Sequence, residues 1–338
     1  MQPYFEYTDF DQEFYRVHIA PRLPPSVFDM HVHINLPEHV EMVPEERLLS
    51  DWALECGHIL PYPDAYACAK ELYPDIQYVI AGMPWPIREA DLKGNNSYLA
   101  RLRRDGKLVA FMGIRPEWNA EEVEQMLIEG NFLGFKPYPD MVAGTKGAEI
   151  GIFEFFPHSQ WQILERHHKA VVLHLPRQER LADSANVREL LQARQKYPSV
   201  AIIVAHFGRS FCPYYLEEGL RQLGGADGFY FDTAAVVNPA VYDVAFSTIP
   251  LERILYGSDM PILFWHGRQE WTERTYRNLC REDYSWNKER RPPQEEARYT
   301  IFLYEQMRTL LDSIDRHGLT EAEKRGVMGD NARRVFGL

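Results

Sequence analysis

The sequence predicts an α/β protein built as a (β/α)8 TIM barrel, and three observations carry that expectation. Eight short β-rich runs are spaced along the 338 residues, most of them followed by a helix-like stretch. Several runs are almost continuously apolar, as parallel strands covered on both faces must be. Five ionisable residues fall at the C-terminal ends of four of these runs, and a barrel gathers the C-terminal ends of all its strands on one face.

The first four runs are 27–33 (VFDMHVH), 76–85 (IQYVIAGMPW), 107–116 (KLVAFMGIRP) and 132–139 (FLGFKPYP). The second four are 170–177 (AVVLHLPR), 201–209 (AIIVAHFGR), 228–236 (GFYFDTAAV) and 254–261 (ILYGSDMP). Helical signals lie between them. Asn119 stands ahead of Ala120, Glu121 and Glu122, which gives an N-cap and an acidic first turn. The stretch opened by Asp183 and Ser184 is a second helical signal. Two segments exceed the minimal repeat. Residues 34–75 carry Pro37, Pro44, Pro61, Pro63 and Pro74, and residues 262–293 are rich in Trp, Arg and Glu. Both follow strand C-termini, so both are expected over the mouth of the barrel. Residues 1–26 read as an N-terminal arm and 27–338 as the barrel proper, a single domain closed by a helical tail.

Composition narrows the function. Lys and Arg number 37 against 49 Asp and Glu, a formal charge of -12. That balance, with no basic run longer than the stretch around Lys288–Arg291, argues against nucleic acid or an anionic membrane surface as partner. Cys56, Cys68, Cys212 and Cys280 are scattered and form no C-x-x-C pair, so neither a disulfide framework nor a structural zinc site is expected. No leader segment and no long apolar span are recognisable, and the expected location is the cytoplasm.

The chemistry lies at the strand ends. They present His31 and His33 in the first run, His174 in the fifth, His206 in the sixth and Asp259 in the eighth. His31 and His33 are two apart on a strand and project to the same side, offering two imidazoles to one point. Imidazole nitrogens with a carboxylate suit Zn²⁺ and other divalent transition ions. A single strand histidine is usually a hydrogen-bonded core residue; five such groups in register are not explained that way. The histidines at 18, 39, 58, 158, 167, 168 and 317 lie outside the pattern and read as structural or exposed.

The set F-D-M-H-V-H-I, V-L-H-L, V-A-H-F-G and Y-G-S-D-M-P resembles the amidohydrolase superfamily. It resembles in particular the amidohydrolase-related branch that includes aminocarboxymuconate semialdehyde decarboxylase and its relatives. The ending M-G-D-N-A-R-R-V-F resembles that branch's closing helix, and the resemblance runs from about Val27 to Phe336. It implies His31, His33, His174 and Asp259 as ligands of one divalent ion, Zn²⁺ or alternatively Mn²⁺, with no organic cofactor. It implies His206 beside the metal in proton transfer or substrate polarisation. Asp259 would serve twice, since in hydrolytic members the strand-eight Asp also takes a proton from the water. A homodimer is consistent with the resemblance.

Lys136 lies where some superfamily members carry a carboxylated lysine bridging two metals; the alternative is a cation aimed at substrate. Arg115, Arg177 and Arg209 also sit at or just past strand ends, so the four cations together predict a small, carboxylate-bearing substrate. Trp85, Tyr138, Trp265 and His266 are candidates for an apolar wall. The leading expectation is a metal-dependent hydrolase acting on a C–O or C–N bond. Its alternative is a non-oxidative decarboxylase of a small unsaturated or aromatic acid on the same ligands. Metal-free lactone hydrolysis and a non-catalytic binding relative rank lower, because every ligand position is filled.

Overall fold

The computed structural model describes residues 4–142 and 149–338. Its parallel strands follow the expected order: β1 (Ser26–His33), β2 (Gln77–Met83), β3 (Val109–Ala110), β4 (Met112–Gly113), β5 (Gly134–Lys136), β6 (Ala170–Leu173), β7 (Ala201–Val204), β8 (Phe229–Asp232) and β9 (Ile254–Leu255). The pairs β3 and β4 are two halves of one run, interrupted at Phe111. Strand order is sequential within β1–β3 and within β4–β9, and every pairing is parallel. Phe111 N donates to Gly82 O at 2.9 Å and Leu133 N to Ala110 O at 2.8 Å, which carries the sheet across the interruption. The last run returns to the first: Met30 N donates to Tyr256 O at 3.0 Å, Asp259 N to His31 O at 2.9 Å and His33 N to Met260 O at 2.9 Å. This is the strand order of a (β/α)8 barrel.

Side chains separate into two buried layers. Phe28, Met30, Ala81, Met83, Phe111, Leu133, Val172, Ile203 and Leu255 form one cluster, and a larger one fills the space towards the helices. Gly134 is required where β5 meets β6, because a Cβ there would lie 1.7 Å from Ala170 O. The register of β1 on β2 shifts between Asp29 and Val32. Met30 therefore belongs to the inner cluster and Val32 to the outer one, with His31 between them turned to the same side as His33. Such a bulge re-aims side chains at a strand end.

The expected helix caps are present. Asn119 Oδ1 accepts from Glu121 N and Glu122 N ahead of the helix Ala120–Glu129, and Asp183 Oδ1 accepts from Ala185 N and Asn186 N ahead of Ser184–Lys196. The N-terminal arm, whose first three residues lie outside the described part, is built into the barrel. Buried Asp11, in the helix Asp9–Phe14, accepts from Thr300 Oγ1 at 2.7 Å and Ile301 N at 2.9 Å, and lies 3.0 Å from His266 Nε2. The long segment after β1 folds into the helices Glu45–Ser50, Trp52–Cys56 and Tyr62–Leu72. The one after β9 contains an antiparallel hairpin, β10 (Gly267–Trp271) and β11 (Tyr276–Cys280). The two segments meet: Ser285 N and Oγ donate to Glu55 at 2.7 and 2.7 Å, and Trp52 lies edge-on to Trp286. Among the described residues no helix is long and apolar enough to cross a membrane.

Candidate metal centre

His31 and His33 leave β1 buried, and Asp259 follows β9 in a left-handed backbone conformation, φ +69°. Asp259 Oδ1 lies 3.5 Å from His31 Nε2 and 3.3 Å from His33 Nε2, yet it receives no hydrogen bond. Donors ~2.1 Å from a tetrahedral ion stand roughly 3.4 Å from one another, so these three atoms are spaced as ligands of a single cation. The orphaned, buried carboxylate oxygen is the observation that fits them to a metal, since a buried acceptor without a partner is costly.

The surroundings hold the donors ready. Burial, with the Lys136 charge adding to it, pushes the His31 imidazole well below its ordinary pKa, and burial also lowers that of His33. Both rings are thereby neutral at ordinary pH, with a lone pair to give. Burial works against the Asp259 carboxylate, but the electrostatic pull of the surrounding histidine rings, His206, His33 and His31, holds it below the usual range. His31 Nδ1 lies 3.0 Å from Asp232 Oδ2, which places the ring proton on Nδ1 and turns the Nε2 lone pair inward. The other oxygen of Asp232 accepts from His206 N at 2.7 Å and Ala234 N at 3.1 Å. His206 Nδ1 is in turn held by Ala234 O at 2.9 Å. Asp232, at the end of β8, was not among the sequence candidates, although it is a strand-end carboxylate by the same rule that finds Asp259.

The amidohydrolase profile matches residues 28–338. The chain belongs to the amidohydrolase family. Solved structures that this amidohydrolase resembles include a dihydroxybenzoic acid decarboxylase from Polaromonas sp. JS666 with bound manganese and 2-nitroresorcinol. That pair shares 15% identity and a TM-score of 0.56 over 93% of this chain and 98% of the other. A 5-carboxyvanillate decarboxylase from Novosphingobium aromaticivorans, complexed with manganese and 4-hydroxy-3-methoxy-5-nitrobenzoic acid, gives 14%, 0.56, 92% and 96% in the same order. A probable 2-pyrone-4,6-dicarboxylic acid hydrolase from Acinetobacter baumannii with citric acid bound gives 13%, 0.57, 92% and 99%. No curated protein matches the sequence. At these identities the likenesses show the fold.

Around the amidohydrolase centre the remaining candidates divide. Lys136 is buried with its Nζ 3.2 Å from His31 Nε2, and burial brings its ammonium down to about 8. His174 stands next to His206, ring centroids 5.5 Å apart, with its Nδ1 unpartnered. It falls outside the two tight donor groups, His31–His33–Asp259 and His31–His206–Asp232. Trp85 is buried and stacks on His33 with 5.4 Å between ring centroids.

A cavity of about 220 Å³ opens beside His174, and Asp51, Tyr138, Arg177 and Arg209 line it. Arg209 Nη1 is spent on the carbonyls of Leu175, Pro176 and Arg177, at 3.2, 3.4 and 3.1 Å. Among the described residues no hydrogen bond engages its other guanidinium nitrogens. Arg177 Nε is 3.9 Å from Asp183, too far for a hydrogen bond. His206, Phe207 and Arg209 all have left-handed backbones, φ +56°, +47° and +61°. Each such residue costs about 1–2 kcal/mol, and strain of this kind gathers at functional sites. The tight turn is what brings His206 and Arg209 to the same mouth.

Three expectations need correction. Arg115 does not reach the cavity; its Nη2 donates to Arg88 O at 2.9 Å and Ala90 O at 3.0 Å, tying down the segment after β2. Trp265 is a core residue, stacked on Phe302 at 4.1 Å and edge-on to Trp286. His266 bridges Asp11 and Glu282 and anchors the arm.

Proposed function

We propose that this chain is a metal-dependent decarboxylase of a small aromatic or unsaturated carboxylic acid. His31, His33 and Asp259 hold one divalent ion, manganese or zinc, with His174 as the fourth ligand. The observation that carries this reading is the cationic cavity lined by Arg177 and Arg209 next to His174, beside a centre whose donors are spaced for one cation. It suits a planar acid whose carboxylate meets guanidinium groups. The manganese-bound decarboxylases it resembles favour this chemistry over the hydrolysis that the sequence put first.

A bound ion would supply Lewis-acid polarisation of substrate oxygen. The chain's own residues do the rest. Arg177 and Arg209 orient the acid, Tyr138 walls the pocket, and Trp85 backs the His33 ring. The bond from ring or alkene carbon to carboxylate breaks, CO2 leaves, and the electron pair remaining on carbon takes a proton. His206, fixed through Nδ1 by Ala234 O, presents Nε2 as the donor.

Hydrolysis is the second reading, favoured by the likeness to the probable 2-pyrone-4,6-dicarboxylic acid hydrolase. One experiment separates them. The manganese- or zinc-loaded protein is incubated with hydroxybenzoates, unsaturated acids and carboxylated lactones, and products are read by mass spectrometry with CO2 capture. Loss of CO2 supports decarboxylation, while gain of one water without CO2 establishes hydrolysis in its place.

A further inference from the structure

A second pocket, of about 540 Å³, lies between the β10–β11 hairpin and the segment after β1, with Trp52, Arg180, Tyr215, Arg274, Tyr276 and Trp286 in its lining. We propose that it is an outer subsite for a carboxylate at the far end of an elongated substrate, and that Arg180 reads that carboxylate as a specificity-determining residue. This rests on the inner cavity binding a carboxylic acid, as above.

Arg180 is held as a recognition group is held. Its guanidinium carbon lies 4.7, 5.3 and 5.5 Å from the ring centroids of Tyr215, Tyr276 and Phe211. Among the described residues its side chain makes one hydrogen bond, from Nη1 to Arg209 O at 3.3 Å. It pairs with no carboxylate among the described residues. Three aromatic rings thus flank the charge, while in-plane donors remain for a planar anion. The backbone beneath is left-handed, φ +56°, a further constraint on where the side chain points.

The neighbourhood agrees in charge. Exposed Arg274 stacks over Tyr214 and Lys288 lines the same pocket, and neither forms an ion pair among the described residues. Arg277, by contrast, is neutralised by Glu270 and Glu289. Three uncommitted cations around one pocket stand out in a chain of charge -12.

The pocket also lies close to the chemistry. Phe211 lies 6.1 Å from the His206 ring and 5.3 Å from Tyr276, centroid to centroid, so a single aromatic ring separates His206 from the outer pocket. Asp51 lines the inner cavity and the next residue, Trp52, lines the outer one. A substrate with its reacting carboxylate inside can therefore extend past Phe211 to Arg180.

Titration calorimetry on the metal-loaded protein tests this, with straight-chain monocarboxylates compared against the α,ω-dicarboxylates from succinate to sebacate. The best dicarboxylate is expected to bind at least tenfold tighter than the monocarboxylate of equal chain length. Arg180→Met is expected to erase that advantage while leaving monocarboxylate affinity within about twofold, and Arg180→Lys to restore part of it. An advantage that is absent, or that survives Arg180→Met, overturns the subsite. If Arg180→Met loses monocarboxylate binding too, the Arg274→Ala/Lys288→Ala protein decides: a reduced advantage supports the subsite and an unchanged one overturns it. Failure of wild type to bind any monocarboxylate overturns the inner-cavity reading, and the subsite with it.

Discussion

Asp232 Oδ2 lies 3.0 Å from His31 Nδ1, and the same carboxylate's Oδ1 receives the backbone N–H of His206. One buried side chain at the end of β8 thus sets the tautomer of a β1 histidine and the position of the histidine after β7. Outer partners of this kind typically carry 10–100-fold in metal affinity. Asp232→Asn is therefore expected to weaken divalent-ion binding by at least about tenfold in a chelator competition, with the fold retained by circular dichroism. Unchanged affinity would remove Asp232 from the account.

Gly257 packs directly behind His31; a Cβ there would lie 2.8 Å from His31 Cβ. Overpacking of this sort costs about 1–3 kcal/mol. Gly257→Ala should lower the thermal midpoint and, because His31 must move, should weaken metal binding as well. A variant that loses stability but keeps full metal affinity would show that the contact is packing alone.

The arm's anchor predicts a pH dependence. Burial opposes the charge on His266, but hydrogen bonds to Asp11 and Glu282 raise its pKa above the ordinary imidazole value. Burial likewise opposes the Asp11 carboxylate, yet His266, Thr8 and Thr300 draw it below the ordinary carboxyl value. The stabilisation from His266 is full below about pH 6.5 and is lost as pH rises through the raised value. That from Asp11 is full above about pH 4 and is lost as pH falls further. Breaking such a buried pair costs about 3–5 kcal/mol. The thermal midpoint of wild type should exceed that of His266→Gln most clearly near pH 5–6, and the gap should narrow by pH 9. A gap that widens with pH would contradict the pairing.

Among the described residues Arg177 and Arg209 face the inner cavity without a carboxylate partner in hydrogen-bond contact. Arg209→Gln is expected to weaken benzoate binding by about tenfold or more, the scale of a charge-assisted hydrogen bond. Arg115→Gln, whose guanidinium is spent on backbone carbonyls, should leave benzoate affinity unchanged and lower the thermal midpoint. The reverse pattern would return Arg115 to the site.

The barrel and the core of the centre were legible because both follow from strand ends. His31, His33, His206 and Asp259 close apolar runs, and topology alone brings them together. Asp232 closes FYFD in the same way and was open to the same argument. What could not be read is direction beyond the strand. Arg115 follows the strand Met112–Gly113 and Arg209 the strand Ala201–Val204, but Arg115 turns back onto the carbonyls of the preceding loop. Arg209 is swung to the mouth by the left-handed turn through Phe207 and Gly208, of which only the glycine gives a local signal. Trp265 and His266 lie in a loop whose course is set by contacts remote in sequence, Phe302 for one and Asp11 for the other.

The central claim is that His31, His33 and Asp259 converge on one divalent ion, and metal content per chain tests it most directly. Mass spectrometry of the wild-type protein after supplementation with manganese or zinc should find about one ion per chain. The His31→Ala/His33→Ala protein, shown folded by circular dichroism, should hold almost none. Wild-type protein that takes up no ion from either supplement, or a folded double variant that retains a full complement, would contradict it.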